Sequence, residues 1–274
     1  MQLTCDSVIR YDKEKYQPFN LYKDQPDCRP MHEWQSYHFS TCNLVHEQPL
    51  NDKEGGKFLT NGSWRQTFQV YDSGTGDRIA LKTLRNTLPF KPNTMERHRV
   101  DSVMYERLTS SPYVMDIYGH CGYSGLFEFS DGGTLDGLIR DRQDRGKKPL
   151  SRVDKLSLAV EVASGVAAVH TMESRNGYSA MVHSDLHLEQ FVWSGGRYKL
   201  NDFNRGHLMY WNHRKHESCP YYWTDGNPGS VSLFHHCMSN CMKTQPYLKS
   251  HYLFSALVVS IARRVQERLA NRKD

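Results

Sequence analysis

The hydrophobic pattern changes its period partway along the chain, and that change limits the fold more than any other feature. Ser63–Tyr71 is rich in Trp, Thr, Phe and Val, in the manner of a strand. Ser73-Gly74-Thr75-Gly76-Asp77 supplies turn residues, and Arg78–Leu84 reads as the returning strand of a β-hairpin. From Thr94 to Leu108 the apolar residues Val100, Val103, Met104, Tyr105 and Leu108 gather towards one side, which is helical spacing. Tyr113–Tyr118 and Gly125–Phe129 read as two further strands, and Asp131-Gly132-Gly133 as a turn. Leu135–Arg145 and Arg152–His170 read as helices, the second strongly apolar. Strands first and helices later predict an α+β fold in two lobes.

The 274 residues suffice for one large or two modest domains, and 38% apolar against 24% charged residues is the balance of a folded chain. We divide the chain into an N-terminal extension at 1–54, a β-rich region at 55–130, a helical region at 131–249 and a C-terminal amphipathic helix at 250–274. The extension is irregular, with Pro18, Pro26, Pro30 and Pro49, and is expected to pack on a domain rather than form one. The last segment places Phe254, Leu257, Val258, Ile261, Val265 and Leu269 on one face. No internal repeat is evident.

A formal charge of +5 with only short basic clusters, such as Lys147-Lys148, argues against nucleic acid as the partner. Met1–Lys15 lacks the apolar core of a signal peptide. The most apolar run, Leu253–Ala262, is about half the ~20 residues needed to cross a bilayer, so no membrane span is expected. Seven scattered cysteines predict free thiols in a reducing, cytoplasmic setting. In an oxidising secretory-pathway lumen, Cys28 and Cys42 would be the candidates to bridge. His235-His236-Cys237-Met238-Ser239-Asn240-Cys241 holds metal-type ligands, but the spacing matches no zinc template.

Four segments carry chemistry. Ile79-Ala80-Leu81-Lys82 puts a lysine on an apolar strand, and Leu59-Thr60-Asn61-Gly62-Ser63-Trp64-Arg65 forms a loop shortly before it. Val182-His183-Ser184-Asp185-Leu186-His187-Leu188-Glu189-Gln190-Phe191 and Leu200-Asn201-Asp202-Phe203-Asn204 follow about a hundred residues later. In this order and spacing they resemble the phosphate-binding loop, strand lysine, catalytic loop and magnesium element of a eukaryotic protein kinase domain, over roughly residues 56–206.

The resemblance implies a bilobal protein kinase-like fold with a β-rich N-lobe and a mainly helical, shortened C-lobe. It implies ATP and Mg²⁺ as cofactors and a protein as substrate or partner. Lys82 would hold the α- and β-phosphates, Gly62 would let the loop backbone approach phosphate, and Asp101 (or Glu106) would be the helical acid paired with Lys82. Asp185 would accept the substrate hydroxyl proton and Asp202 would hold Mg²⁺, with Gln190 in the place of the second metal ligand. Glu128 falls in the hinge that would pair with adenine, behind Phe127 as gatekeeper. Arg65 stands where a glycine is expected and could offer its charge to phosphate. The sequon Asn61-Gly62-Ser63 falls within this loop, where a glycan would obstruct ATP.

The departures define the functional alternatives. Ser184 replaces an arginine that pairs with activation-loop phosphate. His187 replaces a lysine that neutralises the transferring group. Gln190 is one methylene longer than the usual asparagine, and Asn204 replaces a glycine. Only 70 residues follow Asn204. The sequence therefore predicts an ATP- and Mg²⁺-dependent protein kinase-like phosphotransferase. The alternatives are a pseudokinase that binds nucleotide or a partner as a scaffold, and a kinase-like enzyme acting on a sugar or small molecule.

Overall fold

The computed structural model describes residues 25–37, 42, 45, 56–72, 74–144, 148–174 and 178–219. The predicted C-terminal helix, Pro220-Tyr221-Tyr222-Trp223 and the cluster around His235 and Cys241 lie outside these residues.

The elements run β1 (Cys28–Pro30), α1 (Trp34–Tyr37), β2 (Lys57–Asn61), β3 (Arg65–Tyr71), β4 (Arg78–Leu84), α2 (Pro92–Leu108), β5 (Ile117–Cys121) and β6 (Ser124–Glu128). They continue with α3 (Leu135–Asp144), α4 (Arg152–Thr171), β7 (Met181–Val182), a 3₁₀ turn at Leu188–Gln190, β8 (Phe191–Ser194), β9 (Arg197–Leu200), β10 (His207–Leu208), β11 (Tyr210–Asn212) and β12 (Glu217–Ser218). The architecture is mixed α+β, with an antiparallel five-stranded sheet ordered β2-β3-β4-β6-β5.

The predicted hairpin is present, with Arg65 opposite Leu84 at one end and Tyr71 opposite Arg78 at the other. Its turn closes through Asp72 N–H to Asp77 O at 2.9 Å, while the Asp72 carboxylate accepts from Gly74 N–H at 2.7 Å. β4 is the middle strand of the five, flanked by β3 and β6, so Lys82 is not an edge-strand lysine.

Helix α2 begins with Pro92, where a missing N–H costs nothing because the first turn has no acceptor for it. Helix α4 begins with a capping box. Ser151 Oγ accepts from Asp154 N–H at 3.1 Å, and the Asp154 carboxylate accepts from Ser151 N–H at 3.0 Å. Its second half is buried at Val162, Ala163, Gly165, Val166, Ala167 and Val169. There Gly165 lets the helix approach the body closely, since a Cβ at this position would lie 3.0 Å from Tyr113 O and 3.2 Å from Leu200 Cβ.

The main core joins the sheet, α2, α4 and the β8–β9 hairpin through Met104, Tyr105, Phe127, Val166, Leu200 and Phe203. Fully buried side chains such as Leu108, Leu126 and Leu200 each contribute about 1.5–3 kcal/mol. The predicted strand Tyr113–Tyr118 forms later, at Ile117–Cys121. Its first residues leave the sheet for the core, where Val114 bridges Leu200 in parallel and Met115 N–H donates to Leu200 O at 3.0 Å.

The described part of the N-terminal extension is tied into the body. β1 pairs with β11, and the buried Gln35 amide donates to Ala180 O at 3.0 Å and Met209 O at 2.9 Å. Arg99 of α2, itself buried, donates to Gln35 O at 3.0 Å. Two disulfides reinforce the attachment, Cys28–Cys219 and Cys42–Cys121. These correct two expectations. Four of the cysteines are oxidised rather than free, and Cys28 and Cys42 bridge to distant partners instead of to each other. Spacing in the sequence could not show this, because the partners lie 191 and 79 residues further along the chain.

Among the described residues, no helix is long and apolar enough to cross a membrane.

Candidate active site

Three parts of the chain deliver charged side chains to one region: β3 and β4 of the sheet, helix α2 beneath it, and the residues after β9. Arg65 opens β3 and is buried. Its Nη1 donates to Asp101 Oδ2, and its Nη2 donates to Asp202 Oδ1 at 2.9 Å. One guanidinium thus bonds carboxylates from α2 and from the segment following β9.

Lys82 meets a different partner. Its Nζ donates to Asn201 Oδ1 at 2.9 Å and lies 4.6 Å from the Phe127 ring centroid and 5.6 Å from that of Tyr105. The expected ion pair between Lys82 and Asp101 is therefore replaced. Asp101 belongs to Arg65, because the first residue of β3 reaches the helix, while Lys82 points across to the β9 end.

Burial lowers the Lys82 amine to about 8, helped by the adjacent Arg65 charge and opposed by Asp202 and Asp101. Burial also raises the Asp101 carboxyl, against the pull of Arg65. Burial pushes Asp202 the same way, but Arg65 and Lys82 outweigh it and hold this carboxylate below its ordinary range. Arg65 is stabilised as a cation despite burial, since both carboxylates act on it.

Tyr105 organises the region. Its hydroxyl donates to Asn201 Oδ1 and accepts from Asp202 N–H, both at 2.6 Å. It stands four residues after Asp101 on α2, so helical spacing puts the two on one face. Its ring packs edge-on against Phe127 at 4.9 Å and Phe203 at 4.7 Å.

His183 links the two motif segments. Its Nε2–H donates to Asn201 O at 2.9 Å, and its Nδ1 accepts from Asp185 N–H at 3.3 Å. Both roles require a neutral ring, and burial lowers its pKa accordingly.

The backbone here is strained in two places. Ser184 has φ +61° and Asp202 φ +63°, left-handed values that cost a non-glycine residue energy. Asn204, which stands in the place of a glycine, does not have a positive φ; the left-handed residue is Asp202.

Asp185 lies on an edge shared with the more exposed side chains of His187 and Arg205. Its Oδ2 accepts from Gln190 Nε2 at 3.2 Å and its Oδ1 from Arg205 Nη1 at 3.2 Å. Gln190 Nε2 also lies 3.1 Å from His187 Nε2, and His187 Nε2 lies 3.8 Å from Asp185 Oδ2. Asp185, His187 and Gln190 thus form one cluster.

Two other expected residues serve the fold as placed. Gly62 N–H donates to Arg65 O at 2.7 Å, closing the β2–β3 turn on itself instead of facing outward for phosphate. The Glu128 carboxylate turns away to Lys199 and Ser194.

Among the described residues, no group of three or more His, Cys, Asp or Glu is arranged to hold a metal ion. A Mg²⁺ carried with a nucleotide asks for less, because phosphates and water complete its octahedron around one or two protein oxygens. Asp202 fits that demand. Its side chain is 29% exposed, and only Oδ1 is taken by Arg65.

The sequence singled out Lys82, Asp101, Asp185, His187, Gln190 and Asp202 but missed Tyr105, His183, Asn201 and Arg205. Tyr105 had a readable signal, its spacing from Asp101; Asn201 and Arg205 are loop residues whose roles depend on tertiary placement. No protein-family model matches the sequence, and no curated protein matches it.

Proposed function

We propose that the chain is a protein kinase-like phosphotransferase that moves the terminal phosphoryl group of ATP, with Mg²⁺, to a protein hydroxyl. In this reading the five-stranded sheet with α2 is an N-lobe, and α3, α4 and the β7–β9 region belong to a bilobal kinase fold. The observation that carries it is the link between Lys82 and Asn201, which brings the strand lysine beside Asp202 across 119 residues of sequence.

Lys82 would supply a fixed positive charge to the phosphates. Asp202 and Gln190 would hold Mg²⁺, whose chemistry is to neutralise charge building on the phosphates. Asp185 would orient the acceptor hydroxyl and take its proton, with Arg205 and Gln190 fixing the carboxylate. His187 would add positive charge at this edge only when protonated. Phe127, 1% exposed, would wall the adenine end.

The two disulfides favour maturation in an oxidising compartment such as the secretory-pathway lumen over the cytoplasm.

A second reading, a pseudokinase that binds nucleotide or a partner without transfer, draws on two observations. Gly62 N–H is already engaged in its turn, and Arg65 holds one Asp202 oxygen.

Thermal unfolding with and without ATP and Mg²⁺ tests both readings, because a ligand that binds the folded state raises Tm. The expected result is a rise that needs Mg²⁺ and is lost in Asp202→Ala. Phosphoryl transfer abolished in Asp185→Ala, with the Tm rise retained, separates the kinase from the scaffold. No rise in the wild-type chain would overturn nucleotide binding.

A further inference from the structure

We propose that Arg65 is a positioning residue that fixes Asp101 and Asp202 together, and that this leaves Lys82 as the phosphate-facing cation; the inference rests on the kinase-like reading above.

The geometry of the pair of cations is asymmetric. Arg65 spends two different nitrogens on two carboxylates, one from α2 and one from the segment after β9, 36 and 137 residues away. A guanidinium suits this task because its donors are splayed in a rigid plane, whereas an ammonium is a point charge. Lys82 has no carboxylate within ion-pair distance among the described residues; its hydrogen bond goes to a neutral amide oxygen.

The buried Asp101 gives an independent sign that Lys82 stays apart from the helix acid. Its Oδ1 is buried without a hydrogen-bond partner, although a lysine amine stands in the same region. The helix acid is therefore satisfied through one oxygen by Arg65 alone. The carboxylate that orders α2 against the sheet has passed from Lys82 to Arg65, and the lysine is not consumed by it.

Asp202 is shared in the same way. Arg65 takes Oδ1 and Tyr105 takes the backbone N–H, which holds the residue at φ +63° with Oδ2 left for a metal ion. Arg65 acts through Asp202 and Asp101, not on substrate.

The experiment compares the wild-type chain with Arg65→Met, Arg65→Lys and Lys82→Met, using ADP release from MgATP without added acceptor and a cooperative melt as the check on folding. Removing Arg65 misplaces Asp202, so kcat should fall about 100-fold while KM for MgATP stays within about threefold. Removing Lys82 should raise KM about tenfold or more, as loss of a charge on phosphate. Arg65→Lys keeps the charge but makes one bond, and should fall between wild type and Arg65→Met. If Arg65→Met fails to fold, Arg65→Met/Asp101→Leu removes the orphaned carboxylate and should melt cooperatively yet remain slow. Wild-type turnover in folded Arg65→Met or in the double variant overturns the inference alone. A larger KM effect from Arg65 than from Lys82 overturns it too. A wild-type chain that neither binds nor turns over MgATP overturns the kinase-like reading, and the inference with it.

Discussion

Lys199 Nζ lies 2.6 Å from Glu128 Oε1, joining β9 to the end of β6 through side chains that are 13% and 14% exposed. The same Glu128 oxygen accepts from Ser194 Oγ at 2.6 Å, and its other oxygen accepts from Asp116 N–H at 3.1 Å. When Lys199 goes, this largely buried carboxylate loses its charge partner and keeps only the Ser194 hydroxyl and the Asp116 amide as donors. Lys199→Met should therefore cost about 3 kcal/mol, near the value for breaking a buried pair. Urea denaturation of the two proteins checks this, and midpoints that coincide would show that the pair is solvated.

The two disulfides close long loops, with partners 191 and 79 residues apart. In the chain-entropy view each restrains the unfolded state, by about 2–5 kcal/mol. Reduction under native conditions should lower Tm markedly, and Cys28→Ser/Cys219→Ser should reproduce part of the loss. A Tm indifferent to reductant would contradict both bridges.

Stability should fall on acidification well before the carboxylates titrate. Burial, aided by Arg65 charge, pushes His98 and His120 down to about 3, and burial pushes His170 and His207 down to about 4. Unfolded, these rings take up protons near pH 6.5, so between there and pH 4 the unfolded chain binds more protons than the folded one. Stability is then complete above about pH 6.5 and is lost as pH falls, by about 1–2 kcal/mol per ring at pH 5. Urea midpoints at pH 7 and pH 5 measure the difference; an unchanged midpoint would mean that the rings are hydrated.

Gly165→Ala should destabilise by about 1–3 kcal/mol, because the added methyl meets the Tyr113 carbonyl and Leu200, neither of which is the loose end of a side chain. This outweighs the gain in helix propensity of about 1 kcal/mol. A more stable variant would show that α4 can retreat from β9.

Local pattern made the β3–β4 hairpin, α2, α3 and α4 legible, since each is written in contiguous residues. The three-stranded sheet ordered β1-β11-β12 was not. β1 is three residues long and finds its partner at Tyr210–Asn212, a pairing that no window of sequence contains. Exposed β2 and the short β8–β9 hairpin also went unread, the former because all five of its residues face solvent. In the candidate site, the kinase resemblance singled out Lys82, Asp101, Asp185 and Asp202. The pairing among them was hidden, because whether Lys82 or Arg65 reaches Asp101 depends on how strand and helix meet. The same holds for the left-handed turn at Asp202, which is enforced by Tyr105 from another element.

The union of β1 with β11 sets an order of events during synthesis. Cys28 and Arg29 leave the ribosome long before Trp211 and Asn212, their strand partners. At about 5–20 residues per second, the first strand waits on the order of 10–40 s for its mate. Through that interval one edge of the nascent protein is unpaired and its cysteine uncommitted. A chaperone or thiol-handling enzyme acting then would decide whether Cys28 keeps its native partner, so the yield of correctly bridged protein should depend on the pace of translation as well as on the finished fold.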